Sequence, residues 1–419
     1  MKGKPAILGA LLVFGGLVVL GATVAVVADG PALTPQEELG KAIFFDENLS
    51  LNANQSCATC HGPEAGWTGP DTAINAHGSV YEGSIPGAFG DRKPPSSAYA
   101  TFAPVLHLDE DGLFVGGNFW DGRATGERLG SPAAEQALGP FLNPVEQALP
   151  SPADVVAGVC ASTYGDLFRT VCGTDACAAA NVHAAYDCIG YAIAAYEGSP
   201  ESNAFTSKYD AYLAGVADLT KAEQRGLNLF KSKGKCAKCH VLSRKRGDPP
   251  ALLTDFTFDN LGLPKNPENP VYDHDPGFVD GGLGAYLASR ADYAGYAEEN
   301  MGKHKVPTLR NVGKWDPALG TEIKAYGHNG YFKSLEGIVH FYNTRDLKPA
   351  CPGDYTEAQA LAANCWPAPE VTENVNTAEL GSLHLTPAQE ADLVAFMRTL
   401  SDGYVPPPAA GAAWRFGRR

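Results

Sequence analysis

Two short cysteine–histidine motifs contain the residues of this chain that are best suited to chemistry. Residues 57–61 (Cys-Ala-Thr-Cys-His) and 236–240 (Cys-Ala-Lys-Cys-His) both follow the pattern C-x-x-C-H. In this pattern the two thiols add to the vinyl groups of a haem, and the adjacent imidazole ligates the iron. A thioredoxin-like redox pair or half of a zinc site would explain the cysteines. Neither would explain the adjacent histidine or the repetition of the motif. The sequence therefore predicts two c-type haems, bound by Cys57, Cys60, Cys236 and Cys239 and ligated by His61 and His240.

The stretch that leads into each motif is also repeated, which indicates a duplicated unit. Thr34 precedes Glu37 by three residues before the first motif, and Thr220 precedes Glu223 in the same way before the second. A threonine followed three residues later by a glutamate is a capping box, which starts a helix. Thr386 begins a third such segment, which we expect to form the closing helix of the second copy.

Most of the remaining chain predicts helices joined by irregular loops. Apolar residues recur at three- and four-residue spacing over 152–169 and 182–197, as on the buried face of a helix. Glycine and proline are frequent over 62–96 and 243–284, and few segments alternate as strands do. We therefore predict a mainly α fold of two cytochrome-c-like domains, each with one covalently bound haem and long irregular loops.

These patterns divide the chain into four parts. Residues 31–203 are predicted to form an N-terminal haem domain and residues 204–404 a C-terminal haem domain. Residues 1–30 carry two lysines ahead of a long uncharged run, the pattern of a signal peptide or an N-terminal membrane anchor. Residues 405–419 form a tail rich in proline and alanine, which we expect to be disordered.

Composition and charge limit where the protein works and what it binds. The 419 residues are 44% hydrophobic and 19% charged, which is sufficient apolar content to fold around cores. A net charge of −15 makes nucleic acid an unsuitable partner and would instead attract a cationic protein or a small donor. The ten cysteines and the N-terminal segment predict an exported, periplasmic protein, either free or anchored to the inner membrane.

Six cysteines lie outside the two motifs, an even number that is typical of three disulfides in an exported protein. Cys351 and Cys365 are the natural pair in the second half. Three pairings remain open for the other four, which are Cys160, Cys172, Cys177 and Cys188.

Three further segments, in a fixed order along the chain, resemble one known family. They are 119–123 (Phe-Trp-Asp-Gly-Arg), 143–146 (Asn-Pro-Val-Glu) and 305–311 (Lys-Val-Pro-Thr-Leu-Arg-Asn). With the two haem motifs, they resemble the bacterial dihaem cytochrome c peroxidases and their MauG-like relatives over residues 31–402. The resemblance implies an enzyme with two haem domains that face each other, in which hydrogen peroxide reacts at the N-terminal haem on His61.

The same resemblance assigns roles to two residues of the N-terminal domain. Trp120 matches the tryptophan that lies between the two haems and relays charge. Glu146 matches an active-site glutamate, because cleaving a peroxide O–O bond requires a group that moves a proton between the two oxygens. Without the resemblance, Trp120 would be interpreted as a core aromatic residue and Glu146 as a surface or capping residue.

The resemblance leaves the distal ligand of the first haem open. His77 matches a histidine that, in many of these peroxidases, ligates the peroxidatic iron until the other haem is reduced. His107 is a rival in the same domain. MauG-like relatives leave this iron open without reductive activation, and a loop histidine that ligates nothing is the simpler alternative.

The distal ligand of the second haem separates the two subfamilies. Conventional peroxidases place a methionine in the helix after a segment like 326–330 (Tyr-Gly-His-Asn-Gly), whereas this chain has Tyr342 there, as MauG-like proteins do. Met301 is the alternative ligand, and Met397 lies on a helix that we interpret as core. A phenolate ligand favours ferric or more oxidised iron. It therefore suits oxidation of a protein or small-molecule partner better than peroxide removal fed by a donor cytochrome or cupredoxin.

One departure from the family pattern bears on a third cofactor. Many members have an asparagine after the arginine of an Arg-Asn-x-Pro segment, and it helps to bind calcium between the domains. The matching position here is Lys93, whose positive charge argues against calcium. The resemblance also leaves a homodimer open. The alternatives to a MauG-like enzyme are a conventional cytochrome c peroxidase and, from another class, a dihaem electron-transfer cytochrome without catalysis.

Overall fold

The computed structural model describes residues 32–243, 250–316, 318 and 322–406. The predicted signal or anchor segment at 1–30 lies outside this range, as does the predicted tail beyond its first two residues. Within the described ranges, no helix is both long enough and apolar enough to cross a membrane.

The prediction of a mainly α fold is confirmed, because helices dominate and the strands are only two residues long. The described residues form fourteen α-helices, which are α1 Pro35–Phe44, α2 Cys57–Cys60, α3 Thr72–Ala76, α4 Pro132–Leu142, α5 Pro152–Ala161, α6 Gly165–Cys172, α7 Val182–Glu197, α8 Lys208–Ala214, α9 Lys221–Lys231, α10 Val271–His274, α11 Gly282–Ala288, α12 Leu335–Thr344, α13 Glu357–Ala363 and α14 Pro387–Arg398. Two antiparallel hairpins accompany them, β1 His107–Leu108 with β2 Phe114–Val115 and β3 Phe258–Asp259 with β4 His304–Lys305.

Each half is built on one pair of crossing helices, α1 with α7 and α9 with α14. The crossings are close because a glycine of one helix faces the backbone of the other. A Cβ added at Gly40 would lie 1.9 Å from the carbonyl oxygen of Ala192, and one added at Gly226 would lie 1.9 Å from that of Asp392. The same close approach at equivalent positions is the structural counterpart of the sequence duplication.

The capping boxes start helices where the sequence predicts them. Thr34, Thr220 and Thr386 each accept a hydrogen bond from the backbone three residues later and precede α1, α9 and α14. The helix predicted over 182–197 is α7. The helix predicted over 152–169 is wrong as one element, because Ser162 ends α5 with an extended backbone and its hydroxyl donates to the Val159 carbonyl.

The hydrophobic core has two main parts. The fully buried members of the first run from Leu39 to Tyr196, and those of the second from Tyr209 to Leu400. A small third cluster contains residues from both halves of the chain, which are Leu106, Phe114, Phe258, Leu283 and Leu287. The predicted boundary between 203 and 204 falls between the two main parts.

Three disulfides fix loops in both halves. The predicted Cys351–Cys365 pair is confirmed. The pairing that the sequence leaves open is Cys160 with Cys177 and Cys172 with Cys188. The first ties α5 to the loop between α6 and α7, and the second ties α6 to α7.

Candidate active site

The first C-x-x-C-H motif lies against a cavity that we call the N-terminal cavity. Its empty space, part of which is open to solvent, is about 1370 Å³, and its lining includes Cys60, His61, Trp120 and Glu146. The Nδ1 atom of His61 lies 3.3 Å from the Trp67 carbonyl oxygen. Because a carbonyl only accepts, Nδ1 carries the proton and Nε2 keeps its lone pair for a metal. Burial lowers the pKa of His61 to about 4, so the ring is neutral near pH 7.

The second motif lies against an equivalent C-terminal cavity. Its empty space, part of which is open to solvent, is about 1750 Å³, and its lining includes Cys236, Cys239, His240 and Tyr342. The Nδ1 atom of His240 lies 3.0 Å from the carbonyl oxygen of Leu253, which again leaves Nε2 free to ligate. Burial also lowers the pKa of His240.

The residues present in both cavities fit a covalently attached haem. The two motifs hold the unpaired cysteines of the described chain, whereas the other six cysteines form disulfides. Each motif therefore combines two unpaired thiols with one oriented imidazole beside a cavity.

Glu146 is placed in the N-terminal cavity by a turn that follows α4. Asn143 ends this helix, and its Nδ2 donates to Glu146 Oε2 over 2.9 Å. Burial raises the pKa of Glu146, although the Asn143 hydrogen bond and the charge of Arg123 oppose the shift. The carboxyl group is therefore easier to protonate than an exposed glutamate, and the amide fixes one of its oxygens.

Trp120 lines both cavities at once and is 9% exposed. Its indole Nε1 donates to the carbonyl of Lys93 over 2.8 Å, and its own carbonyl accepts from the Lys305 backbone N–H over 2.8 Å. Lys93 belongs to the first half of the chain and Lys305 to the second, so hydrogen bonds from both halves position Trp120. One aromatic side chain therefore contributes to the lining of both cavities.

A buried ion-pair network beside Trp120 was not predicted. Arg92 donates to Asp121 over 2.6 Å and to both carboxylate oxygens of Asp280 over 2.7 Å. Opposite charges at this distance hold the pKa of Asp121 below its ordinary value, despite the burial that would raise it. The segment at 92–95 carries the sequence signal for Arg92, but nothing in the sequence indicates that Asp280, nearly 190 positions later, is its partner.

Tyr342 lies on α12 and lines the C-terminal cavity together with the second motif. None of the described residues hydrogen-bonds to its hydroxyl group, and burial raises the pKa of the phenol, with Asp259 adding to the shift. Met397 lines the same cavity, whereas Met301 does not and instead has its sulfur against Gly281.

The structure does not bring His77 or His107 to the first motif. The side chain of His77 is 72% exposed, and its Nδ1 lies 3.0 Å from Glu268. His107 is also exposed and bonds to the carbonyl of Val105. Neither lines the N-terminal cavity. In this arrangement Glu146, rather than a second histidine, accompanies His61.

Lys93 is buried between the two cavities and lines both. Its amine donates to the Thr68 hydroxyl over 2.8 Å and to the carbonyl of Pro94 over 2.9 Å. Burial lowers the pKa of Lys93 to about 7. The amine therefore occupies oxygens that could otherwise ligate a cation, which agrees with the sequence argument against calcium.

A second carboxyl group in the N-terminal cavity was also missed. Glu197 ends α7, is 4% exposed and lines the cavity near Cys57. Burial raises its pKa to about 8. No motif marks this residue, because in the sequence it is the last position of an ordinary amphipathic helix.

Comparison with known proteins identifies the family. A family model described as di-haem cytochrome c peroxidase matches residues 34–218. The chain is 34% identical to the methylamine utilization protein MauG of Paracoccus denitrificans over 380 residues, which are 89% of this chain and 90% of the relative. It is 30% identical to the cytochrome c551 peroxidase of Nitrosomonas europaea over 317 residues, or 74% of each chain.

A solved structure agrees with these sequence relatives. The diheme peroxidase BthA of Burkholderia thailandensis superposes with a TM-score of 0.73 at 30% identity, over 88% of this chain and 87% of that one. The paired C-x-x-C-H cavities described above are what two covalently bound haems require. The chain therefore belongs to the di-haem cytochrome c peroxidase and MauG family and is a haem peroxidase that carries two c-type haems.

Proposed function

We propose that hydrogen peroxide reacts in the N-terminal cavity and that the oxidising equivalents are shared with the second haem through Trp120. When bound on His61, the haem supplies a redox-active iron to which peroxide can coordinate. The observation that carries the proposal is that one buried indole lines both cavities. A non-catalytic electron carrier would not require a carboxyl group such as Glu146 in one of them.

Glu146 is proposed as the group that moves the peroxide proton. Breaking the O–O bond requires that a proton leave the near oxygen and reach the far one. A carboxyl group performs both steps best when its pKa lies closer to the working pH, and burial raises the pKa of Glu146 in this direction. Asn143 holds Oε2, so Oε1 is the oxygen that is available to exchange the proton.

Trp120 is proposed as the relay between the two haems. An indole that passes on an electron carries positive charge for a short time. The Lys93 carbonyl that accepts from Nε1 stabilises this charge, because an oxygen acceptor binds a charged donor more strongly than a neutral one. The backbone bond from Lys305 and the Arg92 network hold the ring in place.

His240 and Tyr342 are proposed as the two ligands of the second iron, as in the MauG-like subfamily. The free hydroxyl of Tyr342 in the C-terminal cavity supports this assignment. A phenolate donates charge to the iron and disfavours its ferrous state. This ligand therefore favours oxidation of a protein or small-molecule partner over peroxide removal fed by a donor cytochrome.

The partner and the location are proposed from charge and cysteine chemistry. A net charge of −15 would attract a cationic partner surface. Three disulfides and two covalent haem motifs are typical of proteins that mature outside the cytoplasm, which supports a periplasmic location.

The test adds one equivalent of hydrogen peroxide to the fully ferric protein and records optical and EPR spectra. We expect both ferric signals to decrease together in the wild type. In Trp120→Phe, the signal of the first haem should decrease well before that of the second. A reaction that begins only after one electron has been added would contradict the proposal and favour the conventional peroxidase.

A further inference from the structure

Tyr99 is a buried phenol beside the first haem motif that the mechanism proposed above does not use. It lies in the loop between α3 and β1, is 1% exposed and lines the N-terminal cavity together with His61. Its hydroxyl group donates to Asp402 Oδ2 over 2.7 Å. A phenol becomes a strong acid once it loses an electron, and a carboxylate oxygen at this distance accepts the proton that it then releases.

Its position and its hydrogen-bond partner together distinguish Tyr99 from the other tyrosines of the described chain. Three other hydroxyl groups also donate to carboxylates but line neither cavity, those of Tyr164, Tyr196 and Tyr272. Tyr81 also lines the N-terminal cavity, but its hydroxyl accepts from the backbone N–H of Asp71. Among the described residues, only Tyr99 combines a place in a haem cavity with a carboxylate that accepts its proton.

The charge next to the Tyr99 ring determines which oxidised form it can take. The guanidinium carbon of Arg310 lies 4.9 Å from the centre of this ring, and Arg310 is only 2% exposed. A buried positive charge at this distance opposes a second positive charge on the ring. Electron loss therefore has to be accompanied by proton loss to Asp402, and the product is a neutral radical.

The carboxylate of Asp402 is held in place to accept this proton. Its Oδ1 accepts from the backbone N–H of Thr206 over 2.9 Å, and its Oδ2 also accepts from Asn311 Nδ2 over 3.0 Å. The backbone N–H of Asp402 donates to Asn311 Oδ1 over 2.8 Å, which fixes the residue from a second side. Burial and the charge of Asp402 raise the pKa of the Tyr99 phenol, so the phenol keeps its proton until it is oxidised.

The backbone of Tyr99 is also fixed, and aromatic contacts connect its ring to the surface. Tyr99 has a φ of 63°, which a bulky residue rarely adopts, and its N–H donates to Asn203 Oδ1 over 2.6 Å. The Phe205 ring lies 4.9 Å from the Tyr99 ring, and the ring of Phe102, which is 45% exposed, lies 5.9 Å from that of Phe205. Tyr99 therefore lies two ring contacts from the solvent, where a donor could approach.

We propose that Tyr99 is an oxidisable residue of the first haem site, in addition to Trp120, and holds one oxidising equivalent as a neutral tyrosyl radical. One electron passes from the phenol to the oxidised haem, and the phenol proton passes to Asp402 Oδ2. A one-electron donor at the surface, a protein or a small molecule, later returns the electron, and Asp402 returns the proton. This inference rests on the peroxide reaction proposed above, which supplies the oxidant.

The test mixes the fully ferric protein, with both haems, with one equivalent of hydrogen peroxide, freezes it within milliseconds and records EPR spectra. We expect the ferric signals to decrease and a radical signal to appear that narrows when the protein is produced with ring-deuterated tyrosine. Tyr99→Phe should lose this tyrosine radical while its ferric signals still decrease. Tyr196→Phe is the matched control and should keep the radical, because Tyr196 is also 1% exposed and donates to a carboxylate but lines neither cavity.

The ferric signals separate the failure of this inference from the failure of the peroxide reaction. Ferric signals that decrease without a tyrosine radical, or a tyrosine radical that Tyr99→Phe retains, would contradict the role of Tyr99 alone. Ferric signals that do not decrease would contradict the peroxide reaction and this inference with it. If Tyr99→Phe fails to fold, Asp402→Asn decides, because the amide keeps the shape of the carboxylate but does not take up the proton. Asp402→Asn should strongly reduce the radical yield, and an unchanged yield would overturn the proposal.

Discussion

The two haem cavities share a frame and differ in the functional group that the chain adds to it. In both, a glycine-mediated helix crossing supports a C-x-x-C-H motif whose histidine bonds a backbone carbonyl through Nδ1. The N-terminal cavity adds the carboxyl group of Glu146, and the C-terminal cavity adds the phenol of Tyr342. The comparison shows that duplication kept what binds a haem, while chemistry diverged in segments outside the crossing helices.

The largest expected effect is on the peroxide reaction in the N-terminal cavity. Glu146→Gln keeps the shape of the side chain and the Asn143 contact but cannot take up a proton. We expect both haems to remain and the peroxide reaction to slow by about 10²–10⁴-fold, the usual contribution of one acid–base group. Stopped-flow absorption would measure this. Glu110→Gln, an exposed control, should react like the wild type, and an equal rate in Glu146→Gln would exclude the assigned role.

The second test acts on the C-terminal side. Tyr342→Met replaces the proposed phenolate ligand, which donates charge, with a thioether, which stabilises ferrous iron. We expect the midpoint potential of one haem to rise by on the order of 0.1 V, a fraction of the roughly 0.8 V range set by axial ligands. Spectroelectrochemical titration would show this, with the other haem unchanged. Met397→Leu is the control, and a larger shift in that variant would assign the ligand to Met397 instead.

The third test examines the shared frame itself. Gly40→Ala and Gly226→Ala each place a Cβ 1.9 Å from a carbonyl oxygen that cannot rotate away. We expect each to lower the free energy of unfolding by about 1–3 kcal/mol, as overpacking does. Gly139→Ala in α4 is the control, because its Cβ would lie at an ordinary 3.4 Å from Phe119 and alanine favours a helix. Similar losses from the first two substitutions in denaturant melts would support equivalent crossings, and a loss from only one would contradict this.

The smallest expected effect is a shift in pH dependence. In the proposed mechanism the base form of Glu146 takes the peroxide proton. The rate should therefore fall as pH decreases through its pKa, which burial raises above the ordinary value near 4.3. The Asn143 hydrogen bond favours the charged form and lowers this pKa. Asn143→Ala should therefore move the fall in rate to higher pH, whereas exposed Asn48→Ala should not. A shift to lower pH would contradict this electrostatic account.

The starts of helices could be predicted from the sequence because they depend on residues that are neighbours in the chain. A capping box needs only residues three apart, so Thr34, Thr220 and Thr386 identified the starts of three helices correctly. The break at Ser162 was not visible, because the apolar spacing continues across it and only the hydroxyl bond to the backbone ends the helix.

Contacts between residues that are far apart in the chain could not be predicted from the sequence. Resemblance supplied the expectation for Trp120, but its contacts with Lys93 and Lys305 come from segments far apart in the chain. The Arg92–Asp280 ion pair and the His304–His328 stack likewise join distant positions without a spacing rule. His77 is a different case. Its sequence position matches a haem ligand of the family, but its side chain lies at the surface beside Glu268.

The cysteine arrangement has a consequence for biogenesis. Each disulfide joins residues that are close in the chain, with separations of 17, 16 and 14. Short loops close at a small entropic cost, so each of these partners meets the other early in folding. The motif thiols lie far from these pairs in sequence and stay unpaired. Chain spacing thus brings the structural cysteines together early, but it would also pair Cys57 with Cys60 and Cys236 with Cys239, which are only three positions apart. These four thiols must therefore be kept reduced until the haem is attached.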